Sequence, residues 1–331
     1  MRSPFSKTLF PIVAAAAMGF VTGYFWPEKA PSPSPILPQN IARIPLPPKR
    51  IARWLPPKPS RLLPAQPASV PKLPPCSNSR ASAALAKARE AFGAHDYTRA
   101  VDIVKPFAGQ DCPAAEEFLG GLHEAGFGVP KDAVEAAHWY RKAARLGYAK
   151  AQIDLGVMYE NGAGGVPRDY GQAVSWYRLA AEEGNSKAQD YLADMYAEGR
   201  GVPRNFKEAA RLYELAARQG YAESQNALGA LYEHGQGVPQ DKAVALQWYL
   251  KAAAQGYAPA QLNVGTFYDN GDAVHQDFET AVKWYRKAAD QGNRRAQRYL
   301  ADMYKSGRGV RQDPEEAALW RRKALESSSG T

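Results

Sequence analysis

The chain has 331 residues, 45% hydrophobic and 23% charged, enough to hold more than one domain on length alone. Its formal net charge of +9 is matched by residues 1–75, where ten Lys/Arg face Glu28 alone; the remaining residues hold 32 basic and 32 acidic side chains. The body of the chain is therefore balanced, so the basic excess gives no sign of a nucleic-acid groove there, and no nucleic-acid partner is expected.

Residues 1–8 carry Arg2 and Lys7, and residues 9–26 follow without a charge. That span of 18 residues is close to the lower limit for a membrane-spanning helix. Two readings compete. A cleaved signal peptide needs small residues at its exit, whereas this one ends in Tyr24-Phe25-Trp26-Pro27-Glu28-Lys29, an aromatic belt in character. The sequence favours an uncleaved signal anchor with 1–8 cytoplasmic, a single pass through the inner membrane, and the bulk of the chain in a bacterial periplasm. Residues 27–75 contain 16 of the 26 prolines and predict a basic, disordered, polyproline-rich linker. Within it Ile41-Ala-Arg43 recurs as Ile51-Ala-Arg53, next to Trp54. Spacer, ligand for a proline-recognising groove, and strip on anionic lipid or cell wall all fit that composition.

Residues 76–111 read as a divergent capping repeat, with Ala83, Ala84, Ala88, Ala91 and Phe92 at helical spacing and a new helix starting near Asp96. From 112 to 326 the chain repeats itself six times. A leucine column runs Leu119, Leu155, Leu192, Leu228, Val264, Leu300, at spacings of 36 with a single 37, the extra residue being Gly164 or Gly165. A tryptophan column runs Trp139, Trp176, Leu212, Trp248, Trp284, Trp320. A fixed period of this length is the mark of a solenoid. Each copy predicts two helices. Ala151, Leu155, Met158 and Tyr159 form one apolar face of the first; Ala173, Trp176, Tyr177 and Ala180 form that of the second. A Gly-x-Gly-Val loop ends the first helix. Asp132, Asp169, Asn205, Asp241, Asp277 and Asp313 start the second, with Glu135, Gln172, Glu208 and Glu316 placed to complete capping boxes. Gly156, a poor helix residue, predicts close approach of another backbone. Residues 327–331 are expected to be a disordered tail.

The pattern A-x-x-x-L-G-x-M-Y-x-x-G-x-G-V-x-x-D…A-x-x-W-Y-x-x-A-A-x-x-G closely resembles the Sel-one-like repeat family, relatives of the tetratricopeptide repeats. The resemblance implies an all-α, right-handed α/α superhelix acting as an interaction scaffold, often in bacterial envelope proteins. It does not name a partner. Departures are few: Ala193 and Ala301 for the second Gly of the pair, Leu212 for Trp, His123 for Tyr, Arg321 for the last Tyr, and a fifth loop, Gly271 to Val274, without its second glycine.

Nothing in the sequence points to catalysis. The five histidines show no metal-ligand spacing, H-E-x-x-H and G-x-S-x-G are missing, and no S-x-x-K lies within the repeats. Some cysteine-rich relatives of the family are linked to β-lactam hydrolysis, but this chain has two cysteines in all. No catalytic residue, metal or cofactor is expected. The alternatives to a scaffold are a carbohydrate or peptidoglycan-binding module and, further off, a β-lactamase-like hydrolase. Cys76 and Cys112 lie 36 residues apart, one repeat period, so equivalent positions in stacked repeats predict a disulfide.

A helical wheel places the face of the first helices opposite the core. In tetratricopeptide-like solenoids this face lines the concave groove, a step that rests on the resemblance. Its columns give Ile153, Val157, Glu160 and Asn161; Asp190, Asp194 and Glu198; Asn226, Glu233 and His234; and Leu262, Thr266, Asp269 and Asn270. No Lys or Arg enters these columns before Arg298 and Lys305, so the sequence predicts an acidic groove for a protein partner with basic segments.

Overall fold

The computed structural model describes residues 76, 79–110 and 112–326. Among them every regular element is helical. A first pair, α1 (Ser79–Gly93) and α2 (Tyr97–Val104), runs into a short 3-10 turn, Lys105–Phe107. Six pairs follow: α3 (Pro113–Ala125) with α4 (Ala133–Arg145), α5 (Ala149–Asn161) with α6 (Tyr170–Glu182), α7 (Ser186–Glu198) with α8 (Phe206–Arg218), α9 (Ala222–His234) with α10 (Lys242–Ala254), α11 (Ala258–Asn270) with α12 (Phe278–Asp290), and α13 (Arg294–Ser306) with α14 (Pro314–Glu326). Each helix packs on the next, so the core is a chain of small apolar clusters. One of them joins Ile153 and Tyr177 to Leu192, Tyr213 and Leu228.

The caps form as the sequence predicts, with one difference. The side chains of Asp132, Asn205 and Asp241 accept from the second and third backbone N–H groups of their helices. The reciprocal half of the capping box is not made. The N-cap N–H donates instead to a carbonyl in the preceding helix: Asp169 to Tyr159 at 2.8 Å, Asp241 to Tyr232 at 2.8 Å, Asp132 to His123 at 2.9 Å. The loop is thereby clamped at both ends, and His123 occupies the tyrosine column as expected. Glu208 is released to hold Arg211 at 2.6 Å. In the fifth loop Ala273 takes the left-handed conformation that glycine holds elsewhere, at φ 58°.

Gly156 makes room for a ring, not a backbone. A Cβ built on it would lie 2.4 Å from Cε1 of Tyr177, in the second helix of the same repeat. Gly120, Gly229 and Gly265 stand in the same relation to Tyr140, Tyr249 and Tyr285. The tryptophan column is graded: Trp284 and Trp320 are buried, while Trp139, Trp176 and Trp248 are half-buried. Cys76 and Cys112 are joined in a disulfide that ties the start of the first pair to the N-cap of α3.

The membrane part of the expected fold is corrected. No helix among the described residues is long and apolar enough to cross a membrane. The repeat helices have 13 residues, which at 1.5 Å per residue falls well short of a hydrocarbon core of roughly 30 Å. The expected anchor at 9–26, the linker at 27–75 and the tail at 327–331 lie outside the described residues. The inner-membrane contact, the single pass and the periplasmic placement all rested on that anchor, and they are withdrawn with it. What stands is an all-α solenoid of repeated helix-turn-helix units.

Candidate functional site

The columns expected to face a partner are less open than their charge suggests. Ile153 is 3% exposed and belongs to the core, and Val157 is half-buried against it. Four of the acids are bound by tyrosines from the second helix of their own repeat. The hydroxyl of Tyr177 donates to Glu160 at 2.7 Å, that of Tyr249 to Glu233 at 2.6 Å, that of Tyr285 to Asp269 at 3.1 Å, and that of Tyr213 to Asp194. Tyr140 and Glu124 begin the series at 2.7 Å. Burial first, and the carboxylates second, push the phenols of Tyr140, Tyr177 and Tyr213 well above the ordinary tyrosine range, so they stay neutral donors. Ala197 stands where the first, second, fourth and fifth repeats carry the acceptor acid, and there Tyr213 turns to Asp194. The last repeat makes the same exchange with a cation: Arg321 replaces the tyrosine and holds Asp302 at 2.9 Å.

Cations also enter from the loops, where the helical wheel did not look. Arg200 binds Glu160 in the preceding repeat and Glu198 at 2.6 Å; Arg308 reaches back to Asp269 at 3.4 Å. Both are the middle residue of a Gly-x-Gly loop, which is the sequence signal for them. Asn226 accepts from Asn263 at 2.9 Å, Thr266 bonds its own helix at Leu262, and Asn270 sits 3.4 Å from Asp272. Asn161 and His234 are exposed.

One region keeps acidic character after these pairings. Asp190, 6% exposed, lies between α7 and α9 and accepts from the Ser224 hydroxyl. Burial, then the neighbouring Asp194, raise its carboxyl to about 7. Burial and Asp190 together push Tyr191 to about 12, and Tyr191 lies 5.2 Å from the Tyr177 ring. Tyr221 and Tyr257 are raised by burial and by Asp190 and Glu223. Three half-buried tyrosines thus lie within the field of Asp190, with Glu223 exposed beside them. The tyrosines were missed in the sequence because two of them precede their helices and lie outside the chosen columns.

Among the described residues no group of three or more His, Cys, Asp or Glu could hold a metal ion. The Sel1 repeat model matches residues 113–148, 149–185, 186–221, 222–257, 258–293 and 294–329. The chain belongs to the Sel1 repeat family. Sel1 repeats are related to tetratricopeptide repeats, and solenoids of this kind are typically non-catalytic scaffolds. Two solved structures share the fold at substantial identity. A Sel1 repeat protein from Oxalobacter formigenes is 34% identical, with a TM-score of 0.68, over 75% of this chain and 97% of its own. The protein c5321, a protective antigen of uropathogenic Escherichia coli strains, is 38% identical, with a TM-score of 0.67, over 76% of this chain. The match spans only 55% of that antigen's own length. Among curated proteins none matches significantly.

Proposed function

We propose that this Sel1-repeat solenoid is a protein–protein interaction scaffold, and that the first-helix face of its second to fourth repeats receives an extended, basic segment of a partner. The observation that carries this is the set of Tyr191, Tyr221 and Tyr257 around Asp190 and Asp194. Tyrosines offer large, rigid contact area and a polar tip, the chemistry enriched at interface hot spots. The carboxylates favour lysine or arginine, which also stack on phenol rings. In this reading the helix pair α1–α2 is a cap that closes the N-terminal end.

The test uses an 18-residue peptide with the basic sequence of residues 41–58, labelled and titrated into the full chain by fluorescence anisotropy. Binding should weaken as salt rises. Glu223→Lys, at an exposed site that holds no core tyrosine, should weaken it roughly tenfold. Binding that is absent, or indifferent to both salt and Glu223, overturns the assignment.

A further inference from the structure

The third repeat lacks its tryptophan, and a cleft of about 340 Å³ opens where the ring belongs. Its apolar wall is Ala181, Leu192, Tyr196, Leu212 and Leu215. The same wall is filled elsewhere in the chain. Two repeats along, Trp284 shares a core cluster with Ala253, Val264 and Tyr268, the counterparts of Ala181, Leu192 and Tyr196. Three repeats along, Trp320 does so with Ala289, Leu300 and Tyr304. The slot is therefore one that this fold closes with an indole, and Leu212 is too short to close it.

The polar rim fits an indole as well. Trp320 donates its ring N–H to Glu316 at 3.1 Å, and the counterpart of Glu316 in the third repeat is Glu208, on the rim of the cleft. Trp139, Trp248, Trp284 and Trp320 each carry a lysine ammonium over the ring, at 3.7–4.5 Å from its centre, from three residues further on. In the third repeat that position is Leu215, 40% exposed, and the cations come from Arg178 and Arg211 on the rim. An electron-rich ring with one N–H donor meets guanidinium groups on its face and a carboxylate at its edge.

We propose that this cleft is a docking site for a tryptophan side chain presented by a protein partner. The ring would take the place of the missing column residue, with its N–H on Glu208. The site lies on the second-helix side of the solenoid and is independent of the acid–tyrosine face around Asp190.

The probe is N-acetyl-L-tryptophanamide, titrated into the full chain while the methyl resonances of Leu192, Leu212 and Leu215 are followed by NMR. Saturable shifts confined to those residues are expected, with a dissociation constant on the order of 1 mM, and none with N-acetyl-L-leucinamide. Leu212→Trp fills the slot and should abolish the shifts while raising Tm. Leu215→Gln, at a site exposed enough to spare the fold, should weaken binding several-fold. No saturable shift in either the wild type or Trp54→Ala, or unchanged binding in Leu215→Gln, overturns the site. Binding that emerges only once Trp54 is changed to Ala assigns the slot to the chain's own arm, and overturns the partner.

Discussion

Gln152 keeps a buried side-chain oxygen without a donor because Glu183 stands where later repeats carry glutamine. In the third, fourth and fifth repeats the buried glutamine of the first helix (Gln189, Gln225, Gln261) accepts from Gln219, Gln255 and Gln291, each time at 2.8 Å. Its amide donates in turn to a carbonyl of the preceding helix, as Gln225 does to Ala217 at 3.0 Å. Gln152 makes the second bond, to Ala144, but its Oε1 has no partner. Allowing for the extra glycine in the loop, Glu183 is the counterpart of Gln219, and a carboxylate cannot donate. Glu183→Gln should therefore stabilise the chain by about 1 kcal/mol and raise Tm by roughly 2–4 °C. Gln255→Glu should act with the opposite sign. Thermal unfolding of the two variants checks both signs.

Gly156→Ala inverts a general rule. In a helix interior alanine is ordinarily better than glycine by about 1 kcal/mol. Here the new Cβ would stand 2.4 Å from the Tyr177 ring, which is held in place by its bond to Glu160. A cost of about 1–3 kcal/mol is expected. Gly93 ends α1 with nothing within 4 Å of an added Cβ, so Gly93→Ala is the control and should be neutral or stabilising. Denaturant unfolding of both separates ring crowding from helix propensity.

The helix pairs, their caps and the Cys76–Cys112 bridge were legible because each follows from spacing along the chain. Pairing across helices was not. A wheel drawn on one helix shows which residues share a face. It does not show that Tyr177 lies on Gly156 and so reaches Glu160, or that a loop carries Arg200 back onto the preceding repeat. For that reason the columns read as free acids when most are bound. The same limit explains Trp176, which shares its column with Trp284 but is only half-buried. Truncating Trp284 to Ala should cost about 3–5 kcal/mol, and Trp176 less.

The disulfide closes a loop of 36 residues around the first helix pair. Reducing it, or changing both cysteines to serine, should cost about 3–4 kcal/mol by chain-entropy arguments. The loss should fall on α1 and α2 before the six repeats, since repeat stacks lose their terminal units first. Hydrogen exchange of the oxidised and reduced chains checks this: amides of α1 should speed up while those of α9 and α11 do not. A non-reducing mass measurement must first show the bridge.

Asp190 ties stability to pH. Its carboxyl is raised to about 7 by burial and by Asp194; Glu223 pushes the same way, while the Ser224 hydroxyl and Lys187 oppose it. In the unfolded chain it titrates at the ordinary aspartate value near 3.8. Between those values the folded state binds more protons than the unfolded state, so stability falls as pH rises. The protonated form is retained at pH 4, and the penalty for a buried charge is complete above pH 7. Allowing for the Ser224 bond and local relaxation, that penalty is on the order of 2 kcal/mol. Asp190→Asn keeps the shape and an acceptor for Ser224 but removes the charge. Near pH 4.5 variant and wild type should differ little, whereas near pH 8 the variant should be the more stable of the two. Asp194 is raised by burial as well, so a smaller slope of the same sign should remain in the variant. Urea unfolding at a series of pH values measures both curves. Parallel curves would show that Asp190 is ionised in the folded protein at little cost, and that the tyrosines around it face a full carboxylate at all these pH values.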